Sequence, residues 1–150
     1  MTKPSSLKEL ITVRRGPWEN PDPGVGEIDT VAHCGSDASG LFAFTVQYSD
    51  IATLWVLLAA QMGKDKHATL ASIKGMQKRL PMPLVGLDPD TGSEFVNWTC
   101  KQWCDDEGVE MTRIRPGQKN DHGRIEQKHY PNVRCYAGYI RIDTKERCRV

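Results

Sequence analysis

The chain has 150 residues, 39% hydrophobic and 26% charged, with a net charge of +1, a balance that suits one domain with a single core. No apolar run reaches the roughly eighteen residues of a membrane helix, and the polar start Met1-Thr2-Lys3-Pro4-Ser5-Ser6 lacks the apolar stretch of a secretion signal, so a cytoplasmic protein is expected. The charge is unevenly spread: residues 1–112 carry 10 Lys/Arg against 15 Asp/Glu, and residues 113–150 carry 10 against 4.

Pro and Gly residues from Gly16-Pro17 through Pro21, Pro23, Gly24 and Gly26 mark residues 1–23 as an irregular leader. Three strands are predicted next, Gly26 to Cys34, Leu41 to Tyr48 and Ala52 to Ala60. Short turns at Gly35-Ser36-Asp37 and Ser49-Asp50 make them an antiparallel meander. Leu70, Ile73, Met76 or Gln77, and Leu80 recur at helical spacing, which predicts a helix over Lys64 to Leu80 ended by Pro81 and Pro83. A buried strand, Leu84 to Leu87, follows. The run from Ser93 or Glu94 to Glu107, with Phe95, Val96, Thr99, Cys100 and Trp103 on one side and Gly108 closing it, reads as a second helix. Val109 to Arg113 is the fifth strand, and a helix is expected from about Gly123 onward. A meander followed by alternating helix and strand is the order of an α/β domain, a mixed five-stranded sheet with flanking helices over residues 24–150.

Five cysteines (Cys34, Cys100, Cys104, Cys135, Cys148) form no paired C-x-x-C knuckles, which speaks against a disulfide framework and a structural zinc site. Reduced thiols are expected, with Cys100 and Cys104 read as core or surface thiols rather than metal ligands beside His122 or His129. Trp55, Trp98 and Trp103 are expected in the core.

Clustered acids are how proteins hold hard divalent cations for phosphoryl transfer, because the cation offsets their mutual repulsion. Asp29 sits between Ile28 and Val31 in a predicted central strand, where aspartate is disfavoured without a purpose. Alternation through extended Asp88-Pro89-Asp90 aims both aspartates at one face, and Asp90-Thr91-Gly92 also reads as a turn, so residue types leave these two even. Glu126 falls near a predicted helix start behind a Gly/Lys/Asn-rich loop. There it is either an ordinary helical glutamate or an acid that a mobile segment delivers to a metal. Lys119, Arg124 and Lys128 flank it as phosphate contacts or as a solvated face. His33 shares a strand face with Val31 and Asp29; it either hydrogen-bonds a carboxylate from behind the site or is a core histidine.

The segment Asp90-Thr91-Gly92-Ser93-Glu94-Phe95 resembles the Asp-Asn-Gly-Ser-Glu-Phe signature of bacterial insertion-sequence transposases with a retroviral-type integrase core. Further matches are Glu27-Ile28-Asp29-Thr30-Val31-Ala32-His33, Ser49-Asp50-Ile51-Ala52-Thr53, and Arg115-Pro116-Gly117-Gln118-Lys119-Asn120-Asp121 running into Glu126-Gln127-Lys128. The resemblance selects Asp90 over Asp88. It implies a ribonuclease H-like fold and a catalytic, metal-holding triad of Asp29, Asp90 and Glu126, with 35 residues between the last two. It also implies two Mg²⁺ or Mn²⁺ ions, hydrolytic nicking of transposon ends followed by strand transfer to target DNA, and a homo-oligomer. Thr91 and His129 stand where the family usually has asparagine, and Pro131 falls inside the presumed glutamate helix. Relatives carry a helix-turn-helix region before the core and more sequence after it, so a C-terminally truncated core is expected. A catalytically inactive remnant that binds DNA or a partner is the alternative, and a ribonuclease H-type nuclease is disfavoured by the Asp90–Phe95 text.

Overall fold

Antiparallel pairing builds one half of the sheet and parallel pairing the other. A computed structural model describes residues 4–14, 18–90, 92–113 and 130–148. The elements are α1 (Pro4–Leu10), β1 (Thr12–Val13), β2 (Val25–His33), β3 (Ala43–Asp50), β4 (Val56–Met62), α2 (Lys66–Arg79), β5 (Gly86–Pro89), α3 (Trp98–Glu107) and β6 (Glu110–Arg113). Helical turns at Tyr130–Arg134, Cys135–Ala137 and Lys145–Cys148 follow. The sheet has the order β1-β6-β5-β2-β3-β4. β2, β3 and β4 form the expected antiparallel meander; β5 runs parallel to β2 and β6, and β1 parallel to β6. The mixed sheet with flanking helices is thus present, with six strands among the described residues instead of five.

One face of the sheet presents Ile28, Val46, Tyr48, Leu87 and Met111 to Leu70, Ile73 and Met76 of α2 and to Phe95, Val96, Cys100 and Cys104 around α3. Burial of this apolar area is the main stabilising term. Asp65 caps α2 by accepting from the His67 and Ala68 backbone N–H groups, which satisfies donors that a helix start otherwise leaves idle. Asn97 caps α3 in the same way through Cys100, and Gly108 ends it in the left-handed conformation at φ 68°. Cys100 and Cys104 lie in the core, where burial pushes the Cys104 thiol up to about 12.

Four of the differences from expectation have a clear physical cause, three of them a local hydrogen bond that outcompetes the hydrophobic pattern. α3 starts at Trp98 instead of Ser93 or Glu94, since the Phe95 and Val96 N–H groups both donate to the Gly92 carbonyl in a tight turn. β5 begins at Gly86, not Leu84, because Val85 and Gly86 both donate to the Gly24 carbonyl before pairing with β2 starts. β4 begins at Val56, not Ala52: Asp50 Oδ1 accepts from the Thr53 N–H and hydroxyl, and Leu54 turns the chain at φ 63°. The fourth correction concerns the leader expected to be irregular. Within it, Pro4–Leu10 is helical and Thr12–Val13 adds the sixth strand, held by Leu7 and Ile11 buried in the core.

Trp55 and Trp98 are 47% and 43% exposed instead of buried. The helix expected from Gly123 lies largely outside the described residues. Its described end, Tyr130–Arg134, has π-helical spacing around Pro131. No helix among the described residues is long and apolar enough to cross a membrane.

Gly26 illustrates how tightly the sheet packs: a Cβ there would come within 2.3 Å of Tyr48 Cε2. Gly26→Ala is expected to overpack this point and lower the unfolding free energy by about 1–3 kcal/mol, read as a lower midpoint in urea unfolding.

Candidate catalytic site

Parallel pairing of β5 with β2 sets Glu27 opposite Asp88 and Ile28 opposite Pro89. Opposed residues on adjacent strands share a face, and the strands lie about 4.8 Å apart. Continued one residue past the end of β5 at Pro89, the same register would set Asp90 abreast of Asp29. Two pairs of acids would then share one face in consecutive rows, about 6.6 Å apart along the strands. Ile28 and Leu87 point the other way, into the core.

The inner row is sealed. Asp88 is 0% and Glu27 1% exposed, so their charges need partners. Arg14 Nε donates to Asp88 Oδ2 at 3.0 Å, and its Nη2 lies 4.0 Å from Glu27 Oε1. The Thr112 hydroxyl donates to Asp88 Oδ1 at 2.7 Å, and Trp18 Nε1 donates to Glu27 Oε1 at 3.1 Å. The guanidinium also stacks 4.6 Å from the centre of the Trp18 ring, a favourable cation–π geometry. Arg14 and Trp18 thus cover this face, and Asp88 is held in a structural ion pair.

The outer row is more open, with Asp29 and Asp90 both half-buried. Asp29 Oδ1 accepts from the Thr30 N–H at 2.8 Å, and Asp90 Oδ1 from the Gly92 N–H at 2.9 Å. A third acid, buried Glu94, stands close by: its Oε1 accepts from the Thr30 hydroxyl at 3.3 Å and lies 3.9 Å from Lys64 Nζ. A Cβ on residue 92 would come within 2.5 Å of Glu94 Oε2 and 2.9 Å of Asp90 Oδ1, so the absence of a side chain on Gly92 is what allows the two carboxylates to approach. Gln47 stands opposite Asp29 across the β2–β3 pair. Sequence reasoning missed both Glu94 and Gln47 as site neighbours; the signal for Glu94 was its place two residues after Gly92.

Among the described residues no group of three or more His, Cys, Asp or Glu is arranged to hold a metal ion. The expected third carboxylate, Glu126, and the expected phosphate contacts Lys119, Arg124 and Lys128 lie outside the described residues. His33 is not brought to the carboxylates. It lies four residues beyond Asp29, about 13 Å along the strand, and its Nε2 hydrogen-bonds the Thr45 hydroxyl at 2.7 Å. Burial first, and the charge of Arg134 second, hold its pKa below the usual 6.5.

That depression has a calculable consequence. The unfolded imidazole takes up a proton as pH falls through about 6.5, while the buried ring resists until a lower pH. Unfolding therefore gains protons in that window, and the stability His33 contributes above it is lost as pH falls through the folded pKa. His33→Gln is expected to flatten the decline of unfolding free energy between about pH 7 and 5, measured by urea titration at each pH.

The sequence matches no protein-family model. It is 37% identical over 139 residues to an uncharacterized protein, y4rM, of Sinorhizobium fredii; the match covers 92% of this chain, which spans only 40% of the length of that relative. Among solved structures, the fold is similar to a chain of the simian T-cell lymphotropic virus intasome in complex with the PP2A regulatory subunit B56 gamma. That match has a TM-score of 0.62 at 14% identity, over 78% of this chain and 40% of the other. It is similar to the catalytic core domain of BIV integrase at a TM-score of 0.56 and 15% identity, over 71% of this chain and 64% of that one. The HTLV-2 integrase catalytic core domain in complex with magnesium, in a trimeric form, gives 0.56 at 12% identity, over 70% and 63%. The fold of this chain is that of an integrase catalytic core.

Proposed function

We propose that Asp29 and Asp90, completed by Glu126, hold divalent cations for phosphoryl transfer on DNA, so that the chain is the catalytic core of a transposase or integrase. The observation that supports this reading is the β2–β5 register, whose continuation one residue past Pro89 would set the half-buried Asp29 and Asp90 side by side. Hard oxygen donors in that arrangement fit Mg²⁺ or Mn²⁺, and one integrase core of the same fold was solved in complex with magnesium. Held by Asp29, Asp90 and Glu126, such ions would supply Lewis-acid activation of an attacking water or 3′-hydroxyl and charge stabilisation of the leaving 3′-oxygen.

The chain's own residues supply the positioning. Backbone N–H groups of Thr30 and Gly92 orient the two aspartates. Arg14 holds the inner acids Glu27 and Asp88 in ion pairs, which keeps that second row from competing for the cation. In this reading Glu126 is the third ligand, and Lys119, Arg124 and Lys128 meet the phosphate backbone of transposon ends and target. Contacts of that kind add affinity without reading sequence. Acting on two DNA ends at once calls for more than one copy of the chain, so we propose a homo-oligomer as the active form.

The reading predicts Mn²⁺-dependent cleavage or joining of a branched DNA that mimics a transposon end joined to target. Asp90→Asn and Glu126→Gln should each fall to background while unfolding at the same temperature as the parent. Undiminished activity in either variant removes that residue from the site. No activity in the folded parent favours the catalytically inactive alternative, a DNA- or partner-binding module on this fold.

A further inference from the structure

Gln47 is fully buried at 0% exposure, and neither the nitrogen nor the oxygen of its carboxamide has a hydrogen-bond partner among the described residues. Burying a carboxamide with both ends idle is costly, and native structures rarely tolerate it without a use for the group. Packing alone does not call for a polar group here, since Met or Leu fills similar space with no polar atoms to satisfy. Nor do its neighbours on the sheet use it. On the β4 side Gln47 faces apolar Leu58, and two residues back along β3 the Thr45 hydroxyl is engaged by His33.

The remaining cross-strand neighbour is Asp29, directly opposite in the antiparallel β2–β3 register. Side chains so opposed start from Cβ atoms about 4.5–5.5 Å apart and share a face, which puts the Asp29 carboxylate within reach of a glutamine side chain. A carboxylate that ligates a cation is itself commonly fixed by a hydrogen bond from behind. A neutral amide suits that task beside a divalent ion, because it donates without adding a competing positive charge.

We propose that Gln47 is a positioning residue for Asp29: its Nε2 donates a hydrogen bond that fixes the Asp29 carboxylate when a divalent cation is bound. The inference rests on the reading of Asp29 as a cation ligand. It assigns to Gln47 the role of a hydrogen-bonding group behind the ligand, one of the two roles the sequence left open for His33, whose Nε2 hydrogen-bonds the Thr45 hydroxyl.

The test is a Mn²⁺ titration of the full chain, following free Mn²⁺ by electron paramagnetic resonance, for the parent, Gln47→Met and Asp29→Asn, with melting temperatures recorded alongside. Gln47→Met is expected to weaken Mn²⁺ binding about tenfold while its melting temperature stays level or rises, because two idle buried polar atoms are removed. A residue that merely packs would not lose the metal while gaining stability. Mn²⁺ binding equal to the parent in Gln47→Met, with binding lost in Asp29→Asn, overturns the role of Gln47 and leaves the cation site standing. Parent-like binding in Asp29→Asn, or none in the parent, overturns the site and this inference together. Should Gln47→Met fail to fold, Gln47→Leu provides the same comparison.

Discussion

Parallel pairing of β2 with β5 is the constraint on which the rest of this structure depends. It stacks Glu27 against Asp88 and, continued one step past the end of β5, would set Asp29 against Asp90; like charges directly opposed on neighbouring strands repel. A sheet can carry two such rows only if each is compensated. At the inner row the compensation is built into the chain, as the Arg14 guanidinium lies between two fully buried carboxylates, with Trp18 donating to the same Glu27 oxygen and Thr112 to the other Asp88 oxygen. The outer acids Asp29 and Asp90 are half-buried, Asp90 lying just past the C-terminal end of β5. In the proposed site their compensation is a divalent cation, which gives the repulsion a function.

This constraint explains why residues 4–14 and 18, near the start of the chain, are structural. Arg14 and Asp88 are 74 positions apart, and their contact requires α1 and β1 to anchor the start of the chain against the core and β6. The leader thereby shields one acidic pair and leaves the other accessible. The Asp90 turn obeys a related economy. Gly92 donates its N–H to Asp90 and, by having no Cβ, lets the Glu94 carboxylate approach from below; Thr30 ties that carboxylate back to the strand that carries Asp29.

Much of the fold was legible in the sequence because its elements advertise themselves locally. The meander follows from apolar runs broken by turn residues, and α2 from the spacing of Leu70, Ile73 and Met76. What escaped was set by contacts between distant residues or by single polar groups. Leu7 and Ile11 form too short a pattern to announce a helix, and their burial depends on a core assembled from the remainder of the chain. The starts of β4 and α3 were misjudged because Asp50 and the Gly92 carbonyl capture nearby N–H groups, an effect hydropathy does not register. Asp88 and Asp90 were indistinguishable by residue type, and the contacts of Asp88 with Arg14 and Thr112 separate them physically. Gln47 was hidden inside a strand that reads as almost continuously apolar; its interest lies in what it fails to bond, which no pattern reveals.

The central claim is that Asp29 and Asp90 share a divalent cation while Glu27 and Asp88 do not. Anomalous diffraction at the manganese edge from crystals of the chain soaked in Mn²⁺ tests it most directly. The account predicts a manganese peak at the Asp29 and Asp90 carboxylates, with the Arg14 ion pairs intact beside it. A peak at Glu27 and Asp88, or none at Asp29 and Asp90 under saturating Mn²⁺, would contradict it.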